Sequence, residues 1–167
     1  FTWLKSESKI DTAATTLDGL LPKSTLSGLL LADVSGDGRP DLLYTSLDKR
    51  NYYLRVKKAN ASAGFSDWAG SYKLPKKADG TPPGLFAIDI NRDGIQDVIY
   101  SKYNSTTADY AWVALVSNGS VFSAELQLNP AHRFYLNDQA LEARFQVMDF
   151  NGDGLSDIVG IERVRYN

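Results

Sequence analysis

The sequence contains no cysteine, which excludes disulfides and thiolate-bound metal outright. Such an absence is more usual in bacterial exported proteins than in eukaryotic secreted ones, and so leans towards a bacterial source. It has one histidine, His132, in the loop-like stretch Asn129-Pro130-Ala131-His132-Arg133. No Ser-His-Asp arrangement with a distinguishing local sequence and no phosphate-cradling glycine loop accompanies it, so catalysis has no visible machinery. Long apolar runs are missing too. The longest, Gly28-Leu29-Leu30-Leu31-Ala32, is far below the ~18 residues of a membrane span and reads as a buried strand, so no membrane insertion is expected. Charge of one sign is also lacking: a formal net charge of -2 gives no reason to expect nucleic acid or an anionic membrane as partner. Phe1 begins without a basic n-region or a small-residue cleavage site, and the chain reads as a mature piece or a fragment of something longer.

What is present is an ordinary globular composition, 43% hydrophobic and 23% charged, which argues against disorder. The 167 residues suffice for one domain with a sizeable core. Aromatics make up 11% with no long helical stripe beside them, and this points to strands.

The chain repeats itself. Three segments align without gaps: Asp33-Val-Ser-Gly-Asp-Gly-Arg-Pro-Asp-Leu-Leu-Tyr44, Asp89-Ile-Asn-Arg-Asp-Gly-Ile-Gln-Asp-Val-Ile-Tyr100 and Asp149-Phe-Asn-Gly-Asp-Gly-Leu-Ser-Asp-Ile-Val-Gly160, a period of roughly 60 residues. Apolar runs precede each (29–32, 85–88, 145–148) and follow each (42–44, 98–100, 158–159), and these predict a strand on either side. A third strand is expected at 52–56 and 110–116, closed by turn chemistry at Asn60 to Gly64 and at Asn118-Gly119. A weaker fourth begins at Phe65-Ser66-Asp67-Trp68 or Val121-Phe122-Ser123. Four short strands per period is the content of one propeller blade. The expected architecture is all-β: a β-propeller segment of four-stranded antiparallel blades, about three in this chain. Residues 1–167 form one segment, with repeats at 26–84, 85–140 and 141–167, the last completed by a strand like residues 1–10. Closed propellers hold about 4–8 blades, so the ring calls for further blades from a longer parent chain or from a second copy.

Counted from its first aspartate, each loop carries oxygen side chains at positions 1, 3, 5 and 9: Asp33, Ser35, Asp37, Asp41; Asp89, Asn91, Asp93, Asp97; and Asp149, Asn151, Asp153, Asp157. Calcium takes about 6–8 oxygens in irregular geometry, and side chains two residues apart on a tightly curved loop converge. Glycine at position 6 permits the bend. The backbone carbonyl of position 7 (Arg39, Ile95, Leu155) supplies another oxygen, and position 9 a bidentate carboxylate. An EF-hand needs glutamate at position 12 and flanking helices, whereas position 12 holds Tyr44, Tyr100 and Gly160 between strands, so that reading fails. Asp/Asn/Gly-rich β-turns use the same residues without metal, but three occurrences at identical offsets favour three Ca²⁺ sites, with affinities of about 10⁻⁴ to 10⁻³ M for an extracellular module. Ser35 is a poorer ligand than Asn91 or Asn151, which makes the first site the weakest.

On these residues the sequence resembles the FG-GAP/VCBS repeat family, the blade units of integrin-α-type β-propellers. Ser35 at position 3 and the scarcity of Phe-Gly and Gly-Ala-Pro signatures depart from the eukaryotic repeats. The resemblance implies calcium bracing the hairpin between the first two strands of a blade. It also implies a secreted or cell-surface location and a non-catalytic adhesion, glycan-binding or protein-binding role. The alternative it leaves open is the propeller portion of a calcium-dependent polysaccharide-active enzyme or of a bacterial toxin complex. Trp3, Trp68 and Trp112 are either glycan-stacking platforms or packing residues. Three Asn-x-Ser/Thr sequons, at Asn60, Asn104 and Asn118, fall in predicted loops.

Overall fold

The computed structural model describes residues 27–62, 64–106, 109–128 and 145–160. The expected strand at residues 1–10 and the end of the third repeat beyond residue 160, together with Trp3 and His132, lie outside them. Among the described residues every regular element is a strand.

The first unit opens with β1 (Ser27–Ala32), which runs through the first acidic loop into β2 (Asp41–Asp48) and then β3 (Asn51–Ala59). All neighbours are antiparallel, with Leu31 opposite Leu42 and Leu43 opposite Val56. The fourth position is split: β4 (Phe65–Asp67) pairs with the end of β3, and β5 (Tyr72–Leu74) pairs with its beginning. The second unit repeats the order as β6 (Leu85–Ile88), β7 (Asp97–Asn104), β8 (Asp109–Leu115) and β9 (Leu126–Gln127). Its fourth strand sits later than the sequence suggests. Phe122 makes only an isolated bridge to Ser117, and pairing resumes at Leu126. The third unit is described as one hairpin, β10 (Phe145–Met148) with β11 (Asp157–Gly160).

Alternation along the strands explains how the sheets stack. Successive side chains point to opposite faces, so Leu30, Ala32, Leu43, Leu54 and Val56 share one face of the first sheet. They pack against Leu85, Ala87, Val98, Tyr100, Val113 and Leu115 from one face of the second. The other face of the second sheet, with Phe86, Ile88, Ile99, Trp112 and Ala114, packs against Val147 and Ile158 of the third. Each joint therefore uses opposite faces of neighbouring repeats, and the first strands of successive units adjoin, β1 with β6 and β6 with β10. β7 is buried on both faces along its first five residues, which is why it reads as a continuous apolar run rather than an alternating one.

Trp68 and Trp112 are packing residues. Trp68 lies beside Phe122 with ring centroids 6.0 Å apart, and Trp112 meets Phe86 edge-on at 5.8 Å. Neither presents an open stacking face of the kind a glycan platform needs.

Candidate metal centres

Each acidic loop is the connection between the first two strands of a unit, and its shape follows from its residues. Position 6 has positive φ in all three (Gly38 80°, Gly94 84°, Gly154 82°), as does position 4 (Gly36 69°, Arg92 64°, Gly152 78°). Glycine takes up such angles without Cβ strain; Arg92 does not.

The carboxylate at position 1 organises the bend from inside. In the second loop Asp89 accepts from the N–H of Arg92 at 2.7 Å and of Gly94 at 2.9 Å. Asp149 does the same in the third, from Gly152 at 2.7 Å and Gly154 at 2.9 Å. Position 5 accepts from position 7: Ile95 N–H to Asp93 and Leu155 N–H to Asp153, both 2.8 Å. Its second oxygen meets the side-chain amide of position 3, from Asn91 at 2.8 Å and Asn151 at 3.0 Å. Positions 1, 3 and 5 are thus drawn together around the turn in both loops.

Position 9 is placed differently from a carboxylate aiming both oxygens into the loop. Asp41 and Asp97 are fully buried. One oxygen of Asp97 accepts from Ile90 N–H in the loop at 2.9 Å, and the other from Ser117 N–H just beyond β8 at 2.8 Å. Asp41 divides its oxygens between Ser35 N–H and Ala59 N–H, each at 2.9 Å. Asp157 accepts from Phe150 N–H at 3.1 Å. In the first two units, then, this side chain ties the loop to the end of the third strand. Burial pushes the Asp97 carboxyl above its ordinary value; the two N–H donors oppose this, and the negative charges of Asp93 and Asp89 add to it.

The first loop is the odd one. Asp33 accepts from position 6, Gly38, as in the other loops, but its other oxygen takes the N–H of position 5, Asp37, in place of position 4, and Ser35 Oγ reaches it only at 3.4 Å. The chain's own cations sit on Asp37: Arg39 Nη2 at 2.6 Å and Lys58 Nζ at 3.5 Å from the same oxygen. Desolvation works to raise the Asp37 carboxyl, but the Arg39 N–H and the two positive charges prevail and hold it below its ordinary value. The base of this loop is also docked on the second unit. Asp33 exchanges both backbone groups with Gln96, at 2.8 and 2.9 Å, and Ser117 Oγ donates to the Val34 carbonyl at 2.6 Å. A Cβ on Gly36 would come within 2.9 Å of Ile95 Cγ1.

Among the described residues no three acidic, histidine or cysteine side chains are gathered at metal-holding distance. The donor set nevertheless fits a hard cation. Each loop offers three carboxylates and one neutral side-chain oxygen, with no sulfur or imidazole. The charge balance fits as well. In the first loop Arg39 and Lys58 stand where positive charge is wanted, and among the described residues no ion pair reaches the acids of the second and third loops.

Two features escaped the sequence reading. The Arg39 and Lys58 pairing was signalled only by a cation at position 7 where the other loops hold Ile95 and Leu155. The second is a polar knot between the first two sheets. Glu125 accepts from Tyr100 and Lys102, and Tyr72 of β5 joins them. Burial, reinforced by Glu125, raises the Tyr100 hydroxyl far above its ordinary range. A groove of about 670 Å³ opens on the first sheet between β4 and β5, lined by Tyr44, Ser46, Arg55, Asp67, Trp68 and Ser71.

Residues 33–100, from the start of the first loop through the second, match the family model for the FG-GAP-like repeat, and this stretch of the chain is such a repeat. The third loop lies outside the matched span. No curated protein and no solved structure matches the chain.

Proposed function

We propose that this chain is a calcium-binding, non-catalytic propeller module, whose cations brace the loops from which a binding or adhesion surface is built outside the cell. FG-GAP repeats commonly bind calcium. The observation that carries the reading here is the second loop: Asp97 is fully buried, the negative charges of Asp93 and Asp89 act on it, and among the described residues no ion pair compensates them. Asp89, Asn91, Asp93, Asp97 and the Ile95 carbonyl would hold the ion, and in the third loop Asp149, Asn151, Asp153, Asp157 and the Leu155 carbonyl. A bound cation would supply positive charge and oxygen coordination. The chain's part is to fix the bend and anchor position 9 on the next strand.

The stacking supports a propeller. The joint between the first and second sheets is repeated, with the same relation of faces, between the second and third. The far side of the first sheet leaves Leu29 and Leu31 59% and 60% exposed, and the third unit leaves Phe150 73% exposed. Further blades, from a longer parent chain or a second copy, would cover such surfaces in the same manner. Calorimetric titration of the full chain with CaCl₂ tests the calcium reading. Saturable binding of more than one ion, abolished in Asp93→Ala/Asp153→Ala, is expected; no saturable heat at millimolar calcium would refute it.

A further inference from the structure

Resting on that calcium reading, we propose that the first loop carries its own cation, the Arg39 guanidinium backed by the Lys58 ammonium, which occupies the calcium seat at Asp37 and leaves divalent binding to the second and third loops. In those loops the outer oxygen of position 5 meets only the neutral amide of Asn91 or Asn151, which can rotate to present its oxygen to an arriving ion. In the first loop the equivalent oxygen is held by Arg39 at 2.6 Å with Lys58 at 3.5 Å, while Arg39 N–H takes the other oxygen at 3.1 Å. A dication entering there must displace one positive charge and settle beside another. This placement leaves the Arg39 Nε buried without a hydrogen-bond partner, a cost that the ion pair with Asp37 offsets.

A second, independent set of contacts shows why this loop keeps its shape without a metal. Gln96 clamps both backbone groups of Asp33, Ser117 Oγ holds the Val34 carbonyl, and Gly36 and Gly119 lie close against Ile95 and the Ser35 carbonyl. The second and third loops are more exposed and have their contacts chiefly among their own residues. Their shape depends more on what neutralises their carboxylates.

The amides of Gly38, Gly94 and Gly154 each donate to the first carboxylate of their own loop and so report the three loops separately. In a calcium titration of the ¹⁵N-labelled full chain, the Gly94 and Gly154 signals should move first and Gly38 last or not at all. In Arg39→Gln/Lys58→Gln, the Gly38 midpoint should fall by roughly tenfold or more, as expected when two nearby like charges are removed. The charge-preserving Arg39→Lys/Lys58→Arg should leave Gly38 as in the parent. Gly38 moving together with the other two in the parent, and unchanged in the double glutamine variant, would overturn the inference while the calcium reading stands. Silence of all three glycines would remove both.

Discussion

Replacing Asp97 by alanine removes one side chain and strands two backbone donors. Ser117 N–H is buried and Ile90 N–H partly so, and among the described contacts each is satisfied by Asp97, at 2.8 and 2.9 Å. An unsatisfied buried donor costs about 1–3 kcal/mol. Two of them would cost about 2–6 kcal/mol, offset by about 1 kcal/mol because the substitution also removes a charge that Asp93 and Asp89 repel. The expected loss is therefore about 1–5 kcal/mol, a large share of the roughly 5–15 kcal/mol that holds a typical domain folded. Asp97→Asn keeps one acceptor and turns an amide towards the other donor, so about 1–2 kcal/mol is expected. Urea denaturation followed by tryptophan fluorescence, with chelator present so that no metal effect intervenes, reads both. Asp93→Ala, in the exposed part of the same loop, is the comparison and should stay within about 0.5 kcal/mol under those conditions. If Asp97→Ala proved no worse than Asp93→Ala, the buried carboxylate would not be the tie between loop and third strand.

Other outcomes follow from the same geometry. Arg92 is a non-glycine residue at a φ of 64°, where the other loops hold glycine; Arg92→Gly should stabilise by up to about 1 kcal/mol, and a loss of stability would contradict the strain argument. Gly36→Ala adds a Cβ 2.9 Å from Ile95 at a φ of 69° and should cost about 1–3 kcal/mol, more than Gly38→Ala, whose Cβ would meet open space. Glu125 is held below its ordinary value of 4.5: burial alone would raise it, but the hydrogen bonds from Lys102 and Tyr100 outweigh burial. Its contribution to stability is then full above pH 4.5 and declines as the pH falls through the lowered native value. Glu125→Gln should flatten that acid limb in a series of urea melts, and an unchanged limb would dismiss the polar knot as a stabilising element.

The strands beside the acidic loops were legible because apolar runs bounded by Asp and Gly leave little choice of element. The runs at 85–88 and 145–148 are β6 and β10 to the residue. β2 extends past its predicted apolar run to Asp48 because Thr45 and Ser46 are buried opposite Leu54 and Tyr53. Of the fourth strands, β4 starts at Phe65 as expected, whereas β5 was not foreseen and β9 lies beyond its expected start. β5 is three residues, and β9 only two, both too short for a periodic signal. Within the loops, spacing showed which oxygens converge but not where position 9 divides its bonds. That depends on Ala59 and Ser117, which strand pairing brings back from beyond the next turn. The hold of Gln96 on Asp33, across 63 residues, arises only when successive sheets pack face to face.

The most direct test of the account is the thermal unfolding of the full chain in chelator and in calcium. With dissociation constants of about 10⁻⁴ M, calcium at a hundredfold excess over that value should stabilise by about 2.7 kcal/mol per occupied loop. The melting temperature should then climb steadily with calcium concentration, and Asp93→Ala/Asp153→Ala should erase the climb. A melting temperature that stays the same from chelator to millimolar calcium would reduce the three loops to polar turns held by their own hydrogen bonds.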